Sequence, residues 1–169
     1  VTIEAFAHDP EDLVMPEGEQ EAMAAMMTEA NILFGSRPFD HYEFLIALSD
    51  ELGGIGLEHH RSTEITLSPG TFKSWEDGQY PDKYGFSVDV IPHELVHSWN
   101  GKYRRPALTW TPDYRQPMRN DLLWVYEGMT QYWDLPLAAR SGINTKDMTL
   151  GEIADAAGVK AGSIYYHFE

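Results

Sequence analysis

The chain has 169 residues, 43% of them hydrophobic, which is enough for one compact domain and a small appendage. It contains no run of about 18 apolar residues that could span a membrane, and its lack of cysteine excludes disulfides and cysteine-ligated zinc. The formal net charge of −15 is concentrated in residues 1–60, where 13 acidic side chains face one basic side chain and would repel nucleic acid.

The first half of the chain reads as alternating strands and helices. We predict a strand over residues 2–6, a helix over 18–34 with a methionine-rich apolar stripe, and a strand over 41–49 with apolar residues on both faces. A further strand is predicted over 58–67, and the Gly-, Pro- and Asp-rich residues 70–84 are predicted to form a loop.

A short helix is predicted after this loop. Asp89 can cap its first turn, Pro92 is tolerated there because its missing N–H has no helical acceptor, and Gly101 ends it. His93 and His97 then lie one turn apart on the same face. Two neutral imidazoles in this arrangement can bind a single zinc ion.

The chemistry of such a site needs two more groups. Glu94, next to the first histidine, is the candidate general base. A catalytic zinc ion takes three protein ligands and keeps one position open. A second helix is predicted over 121–139, and Glu127 within it is the candidate third ligand. The alternative is a coincidental His-Glu-x-x-His pattern in an ordinary helix.

Three segments around these residues carry a family resemblance: PHELVHSWNGKYRRPA, WTPDY and LLWVYEGMTQYW. They resemble the glycyl-aminopeptidase-like zinc metallopeptidases of the M61 family, which are gluzincins, and the resemblance extends over residues 1–142. It implies an α+β fold with a zincin-like, thermolysin-like upper subdomain, in which a small mixed sheet packs on the HExxH helix, followed by a short helical tail. It also implies one Zn²⁺ held by His93, His97 and Glu127, with Glu94 as the catalytic base.

The resemblance continues upstream to a predicted edge strand. Residues 56–59, Gly-Leu-Glu-His, stand where related aminopeptidases carry a Gly-x-Met-Glu-Asn strand whose glutamate binds the substrate's free amine. By this resemblance Glu58 is the candidate for recognising a peptide N-terminus, since a carboxylate can pair with an ammonium group. The alternative is an exposed strand glutamate.

Residues 102–120 form a predicted loop rich in arginine, proline and aromatic residues. Long loops of this kind often shape active sites. Arg104 and Arg105 could meet a substrate carboxylate, and the alternative is that they pair with the acidic first half of the chain.

Two features depart from the family pattern. Residues 134–136, Asp-Leu-Pro, replace a glycine-led continuation, and Pro136 is expected to kink or end the second helix. Gluzincins also supply an oxyanion-stabilising Tyr or His from a part that follows the third ligand, and we expect this part to be lost here. Tyr103, Tyr126 and Tyr132 are near in sequence, but no pattern assigns the role to one of them.

Residues 143–169 change character. The run MTLGEIADAAGVKAGSIYYHF resembles the helix-turn-helix of TetR-type bacterial repressors, with Gly158 at the turn. Four acidic residues against two lysines leave this tail too acidic for phosphate contacts, so nucleic-acid binding is not expected. We hypothesise a chimera whose two parts meet near Ser141.

The first 142 residues predict zinc-dependent peptide hydrolysis, of an aminopeptidase type that removes small N-terminal residues from peptides with a free N-terminus. The loss of the part that follows the third ligand is expected to impair this activity. Two alternatives stay open: a zinc-binding fragment without catalysis, and a DNA-binding transcriptional regulator acting through the tail. The sequence leaves specificity, oligomeric state and the choice between bacterial cytoplasm and periplasm open.

Overall fold

A four-stranded mixed sheet forms one layer of the protein. The computed structural model describes residues 1–75 and 88–145, together with residue 153. The strands are β1 (Thr2–Ala7), β2 (Glu43–Leu48), β3 (Ile55–Glu58) and β4 (Ser62–Leu67). Their order is β1-β2-β4-β3, with β1, β2 and β4 parallel and β3 antiparallel at the edge. The mixed sheet and the helices confirm the predicted α+β class.

The single strand predicted over residues 58–67 was wrong, because the chain turns within it. β3 ends at Glu58 and β4 begins at Ser62, and the His59 N–H donates to the Ser62 carbonyl at 2.9 Å across the turn. The sequence has no glycine or proline at this turn, so its residue pattern does not distinguish two short strands from one long strand. The turn makes β3 an edge strand, as predicted, and places Glu58 at its end.

The described residues form the α-helices α1 (Glu17–Phe34), α2 (Thr71–Ser74), α3 (Val90–Val96) and α4 (Met129–Ser141). Three of these helices pack one after another from the edge of the sheet, in the order α3, α4 and α1. α3 contacts β3 and β4 on one side and α4 on the other, and α4 contacts α1. Fully buried side chains of α1, β2, β4, α3 and α4 form one continuous core. α3 is therefore held between the sheet edge and α4.

The short α3 differs at its start from the predicted helix. Asp89 occupies the N-cap position but makes no capping hydrogen bond, and its carboxylate accepts one from the Asn144 side chain instead. Pro92 lies in the first turn as predicted. The chain leaves helical geometry at Asn100 and Gly101, and Gly101 adopts φ +144°, a region that favours glycine.

The second predicted helix has an irregular first turn and a longer regular part. A π-helical turn spans Trp124–Gly128 and continues directly into α4, which contains Pro136 and ends at Ser141. Of the two alternatives predicted for Pro136, a kink or an end of the helix, the second is therefore wrong. Leu137 and Ala138, which follow the proline, are fully buried in the core, and this packing holds the last helical turn in place.

The chain beyond residue 142 is described only in part. Ile143 is buried in the core, and its carbonyl accepts a hydrogen bond from the Trp75 indole at 3.2 Å. The predicted helix-turn-helix over 148–168 lies outside the described residues, except for residue 153. Among the described helices, none is both long and apolar enough to cross a bilayer.

Shortening a buried side chain of α3 should destabilise the whole domain. Leu95 is fully buried, so Leu95→Ala leaves a cavity between the sheet and α4 and should lower the free energy of unfolding by about 2–5 kcal/mol. Urea denaturation followed by circular dichroism measures this loss. The matched control is Leu52→Ala, because Leu52 is 70% exposed and should change stability little. Equal losses in both variants would contradict the placement of α3.

Candidate metal centre and adjoining cavity

Two helices bring three potential ligands together at one point. The Nε2 atoms of His93 and His97 lie 3.5 Å and 3.4 Å from the Oε2 atom of Glu127. The two imidazole rings have centroids 4.9 Å apart and planes at 83° to each other. His97 is buried and His93 nearly so, while the Glu127 side chain is half exposed, so the cluster opens to solvent on one side.

The donor set fits a zinc ion in geometry as well as in chemistry. Ligands about 2.0–2.2 Å from a tetrahedral ion lie roughly 3.3–3.5 Å from one another. The two separations between an imidazole nitrogen and the Glu127 carboxylate oxygen, 3.5 Å and 3.4 Å, are in this range. Two imidazoles and one carboxylate are also a common donor set of catalytic zinc, and the solvent-facing side leaves room for a fourth ligand.

Each imidazole is oriented by a hydrogen-bond partner at its Nδ1 atom. The Nδ1 atom of His93 lies 2.8 Å from Asp134 Oδ2, and the Nδ1 atom of His97 lies 3.1 Å from the Asn100 carbonyl oxygen. Both Nδ1 atoms thus face acceptors, so in a metal-bound form a proton on each Nδ1 would leave the Nε2 lone pairs available to bind the ion. Carboxylates and carbonyls in this position are usual partners of metal-binding histidines.

Asp134 was not recognised from the sequence, where it was treated as a departure from the family pattern. It is 1% exposed and contacts His93 directly. A signal was present, since Asp134 follows Glu127 by seven residues, or about two helical turns, which places both carboxylates on the same side of a helix.

Asn100 stabilises the π-helical turn before α4 by hydrogen bonds to its backbone carbonyls. A π turn widens the helix and leaves carbonyls without their ordinary partners. The Asn100 Nδ2 group donates to the carbonyls of Val125 and Tyr126 at 2.8 Å and 3.1 Å, and Thr130 Oγ1 donates to the Tyr126 carbonyl at 2.7 Å. Asn100 thus links the loop that orients His97 to the turn that carries Glu127.

Glu94 lies beside this cluster with little solvent around it. Its side chain is buried, and among the described residues its Oε2 atom has no hydrogen-bond partner. The backbone of Gly56 in β3 approaches so closely that a Cβ atom there would lie 2.3 Å from Glu94 Oε1. The edge strand therefore forms one wall around the Glu94 carboxylate, and any larger residue at position 56 would displace the Glu94 or Val90 side chain.

Burial, charges and hydrogen bonds within the cluster shift the pKa values of its ionisable side chains. Hydrogen bonds from His93 and His97 lower the pKa of Glu127 to about 2. Burial lowers the pKa of His93, but hydrogen bonds to Asp134 and Glu127 outweigh it and raise this pKa to about 9. Burial raises the pKa of Glu94 to about 7 and that of Asp134 to about 6, against the opposing pull of the nearby histidines.

A cavity of about 210 Å³ opens next to the cluster. Glu58, Arg105, Thr109, Met118, Leu123, Tyr126 and Glu127 line it. The structure thus brings Glu58 beside the predicted metal site, where its Oε1 atom accepts hydrogen bonds from the Tyr126 hydroxyl at 2.5 Å and the Lys102 ammonium at 3.1 Å. Burial raises the pKa of Glu58, but these hydrogen bonds and one from the backbone outweigh it, so this pKa is lowered.

A second set of possible ligands overlaps the first. Glu58, Glu94 and His97 also offer atoms within 4.8 Å of one another. Lys102 already supplies a positive charge to Glu58, and the Nε2 atom of His97 is directed to Glu127. The set of His93, His97 and Glu127 is therefore the better candidate for a metal.

Only one of the three tyrosines left open by the sequence lines the cavity. Tyr126 is 7% exposed, and its ring packs on the His97 ring with centroids 4.8 Å apart. Tyr103 faces His60, and Tyr132 is exposed on α4 next to Trp133. The two candidate arginines of the loop also differ in position. Arg105 lines the cavity, and Arg104 is not among its lining residues.

Comparison with known proteins places the chain beside peptidases. Residues 87–162 match the family model described as M61 glycyl aminopeptidase. The fold is similar to the crystal structure of an aminopeptidase N family protein from Idiomarina loihiensis, with a TM-score of 0.64 and 25% sequence identity. The likeness covers 88% of this chain and 25% of that one, so this chain spans about a quarter of the relative's length. No curated protein sequence matches the chain.

Removing the Asp134 charge should lower the pKa of His93 in the metal-free protein. Asp134→Asn keeps the shape of the side chain but loses a charge that raises the pKa of His93 against the effect of burial, so this pKa should fall from about 9. NMR titration of the imidazole measures it. Folding raises the pKa of His93, so protonated His93 stabilises the metal-free fold. This stabilisation is complete below about pH 6.5 and is lost as the pH rises toward 9.

The control for this titration is Asp113→Asn, an exposed carboxylate in the loop before α4 that contacts Arg115. It should leave the pKa of His93 unchanged. An unchanged His93 titration in Asp134→Asn would show that the Asp134 contact does not set the protonation of this imidazole.

Proposed function

We propose that this chain is the catalytic core of a zinc-dependent peptidase of the aminopeptidase type, similar to the M61 family, with residues 1–142 as the functional unit. The observation that supports the proposal most is the convergence of His93, His97 and Glu127 from two helices, with the buried carboxylate of Glu94 beside them. The match of residues 87–162 to the M61 glycyl aminopeptidase model supports the same reaction class.

His93, His97 and Glu127 would hold the zinc ion, and Asp134 and the Asn100 carbonyl would keep the imidazoles in the ligating tautomer. When bound, zinc supplies a Lewis acid that polarises the scissile carbonyl and makes water more acidic. The raised pKa of His93 means that the metal-free site carries a proton at neutral pH, which metal binding would displace.

Glu94 is the proposed general base and acid. It would accept a proton from the attacking water and donate it to the leaving amine. Burial brings the pKa of Glu94 to about 7 in the metal-free chain, which is close to the pH at which a proton carrier works in both directions. Its Oε2 atom has no hydrogen-bond partner among the described residues, so none of these residues holds this oxygen in place.

Glu58 is the proposed binding site for the substrate's N-terminal ammonium group. The carboxylate is ionised at neutral pH because its pKa is lowered, and Tyr126 and Lys102 fix its position. Lys102 also balances part of its charge, so the carboxylate would be shared between Lys102 and the substrate amine.

Turnover is proposed to be weak, because no described side chain is assigned to the oxyanion. The Tyr126 hydroxyl lies in the cavity, but its proton is donated to Glu58. A water-excluded donor aimed at the oxyanion contributes about two to three orders of magnitude to the rate in other hydrolases. This observation favours zinc binding without useful catalysis as the second candidate function.

Replacing the proposed base should separate the two candidates. Glu94→Gln should abolish hydrolysis of glycyl-p-nitroanilide and leave one zinc per chain, because Glu94 is not among the proposed ligands. Glu127→Ala should lose zinc, because it removes one of three ligands. Metal analysis and absorbance assays measure both effects. Zinc retained by Glu127→Ala would refute the ligand set, and a wild-type chain that binds zinc without hydrolysis would leave the second candidate.

The role of Glu58 can be tested through the charge of the substrate. Glu58→Gln should raise the KM for glycyl-p-nitroanilide by about 10- to 100-fold, because a charge-assisted hydrogen bond to the ammonium group is lost. N-acetylated substrate should be poor for the wild type and unaffected by the change. The control is Glu64→Gln on the exposed face of β4, opposite Leu57. A proportional loss on both substrates would argue against amine recognition.

A further inference from the structure

One cation in the cavity next to the candidate metal centre has no ion-pair partner in the part of the chain that the structure describes. Arg105 lines the cavity, and its Nε–H donates to the Gly101 carbonyl at 3.3 Å. Within residues 1–75 and 88–145, no carboxylate forms an ion pair with its guanidinium group. The alternative from the sequence, pairing with the acidic first half, is not realised among these residues.

The position of Arg105 is set by the loop that follows α3. The Gly101 carbonyl that holds its Nε belongs to a residue at φ +144°, and a Cβ atom on Gly101 would lie 2.8 Å from the Tyr126 ring. The backbone under Arg105 is therefore fixed against the aromatic wall of the cavity. The hydrogen bond at Nε leaves the two terminal NH₂ groups of the guanidinium for another acceptor, in the fork geometry that suits a carboxylate.

The other charged groups of the cavity already have partners. Lys102 pairs with Glu58 at 3.1 Å, and the Glu127 carboxylate lies between the two imidazoles. Among the charged groups of the lining, Arg105 is thus the one for which the described residues supply no ion-pair partner. Its guanidinium group can therefore bind an anion.

The cavity that contains Arg105 adjoins the candidate metal centre. Its volume of about 210 Å³ is below the roughly 300–1,000 Å³ typical of small-molecule pockets, and Glu127 lines it together with Arg105. A ligand group that reaches Arg105 therefore lies beside the candidate metal centre.

We infer that Arg105 is a specificity-determining residue that binds a carboxylate on the residue following the scissile bond. The substrate class would be short peptides with a carboxylate at that position. This carboxylate can be the C-terminus of a dipeptide or the side chain of an Asp or Glu residue. The inference rests on the proposed function for the reaction itself, but the binding preference can be measured without turnover.

The experiment uses three probes and the full zinc-loaded chain. The probes are Gly-Gly, Gly-Gly-amide and Gly-Asp-amide, which carry a terminal carboxylate, none, and a side-chain carboxylate. Calorimetry on the Glu94→Gln variant measures their affinities without hydrolysis, and kcat/KM is measured on the chain with Glu94 intact. We expect the neutral amide to be weaker than at least one acidic probe by about 10- to 100-fold, since a charge-assisted pair is absent.

Arg105→Gln should remove this preference by weakening only the acidic probes, with Gly-Gly-amide unchanged. The matched control is Arg115→Gln, in the same loop, because Arg115 is 91% exposed and contacts Asp113. It should keep the preference. The acidic probe that loses affinity identifies whether a terminal or a side-chain carboxylate is bound.

The outcomes separate this inference from the proposed function. Selective binding that depends on Arg105, in a chain that hydrolyses none of the probes, would retain the inference and refute the hydrolase. Equal affinity for all three probes, or equal losses on all of them in Arg105→Gln, would overturn the inference. Hydrolysis that ignores the carboxylate would overturn it while leaving the peptidase assignment intact.

Discussion

The contact between α3 and the turn that leads into α4 is the constraint on which the rest of the candidate site depends. Neither helix can form the site alone, because α3 carries both imidazoles and the following helix carries the carboxylate of Glu127. The core side of α3 is buried between the sheet edge and α4. Hydrophobic burial of this face therefore sets a distance that electrostatic attraction alone could not hold in water.

Polar groups of the second helix make this contact directional. Asp134 reaches back to His93, and Asn100 joins the loop after His97 to the π-helical turn. Buried polar groups cost free energy unless they are paired, and here the pairing orients the imidazoles as well as satisfying the groups. The helix continues through Pro136 because the residues after it are packed in the core, which keeps Asp134 within a continuous helix.

Two glycines shape the environment of the site because they have no side chain. Gly56 lets the edge strand approach Glu94, and Gly101 lets the Tyr126 ring lie against the loop. A methyl group at either position would push on a side chain of the candidate site. The cavity beside the candidate metal centre has Glu58, which is paired with Lys102, and Arg105 in its lining, so it presents groups of both charges.

The family resemblance alone placed Glu58 on an edge strand. The sequence by itself determined two local features: the spacing of His93 and His97 on one helical turn, and the position of Glu127 within a second helix. These follow from short-range periodicity, which is visible in any single chain. The sequence did not reveal the turn between β3 and β4, the continuation of α4 beyond Pro136, or the contacts of Asp134, Lys102 and Arg105. Those depend on groups far apart in the chain, and only the packing of α3 against the sheet and α4 decides which of them meet.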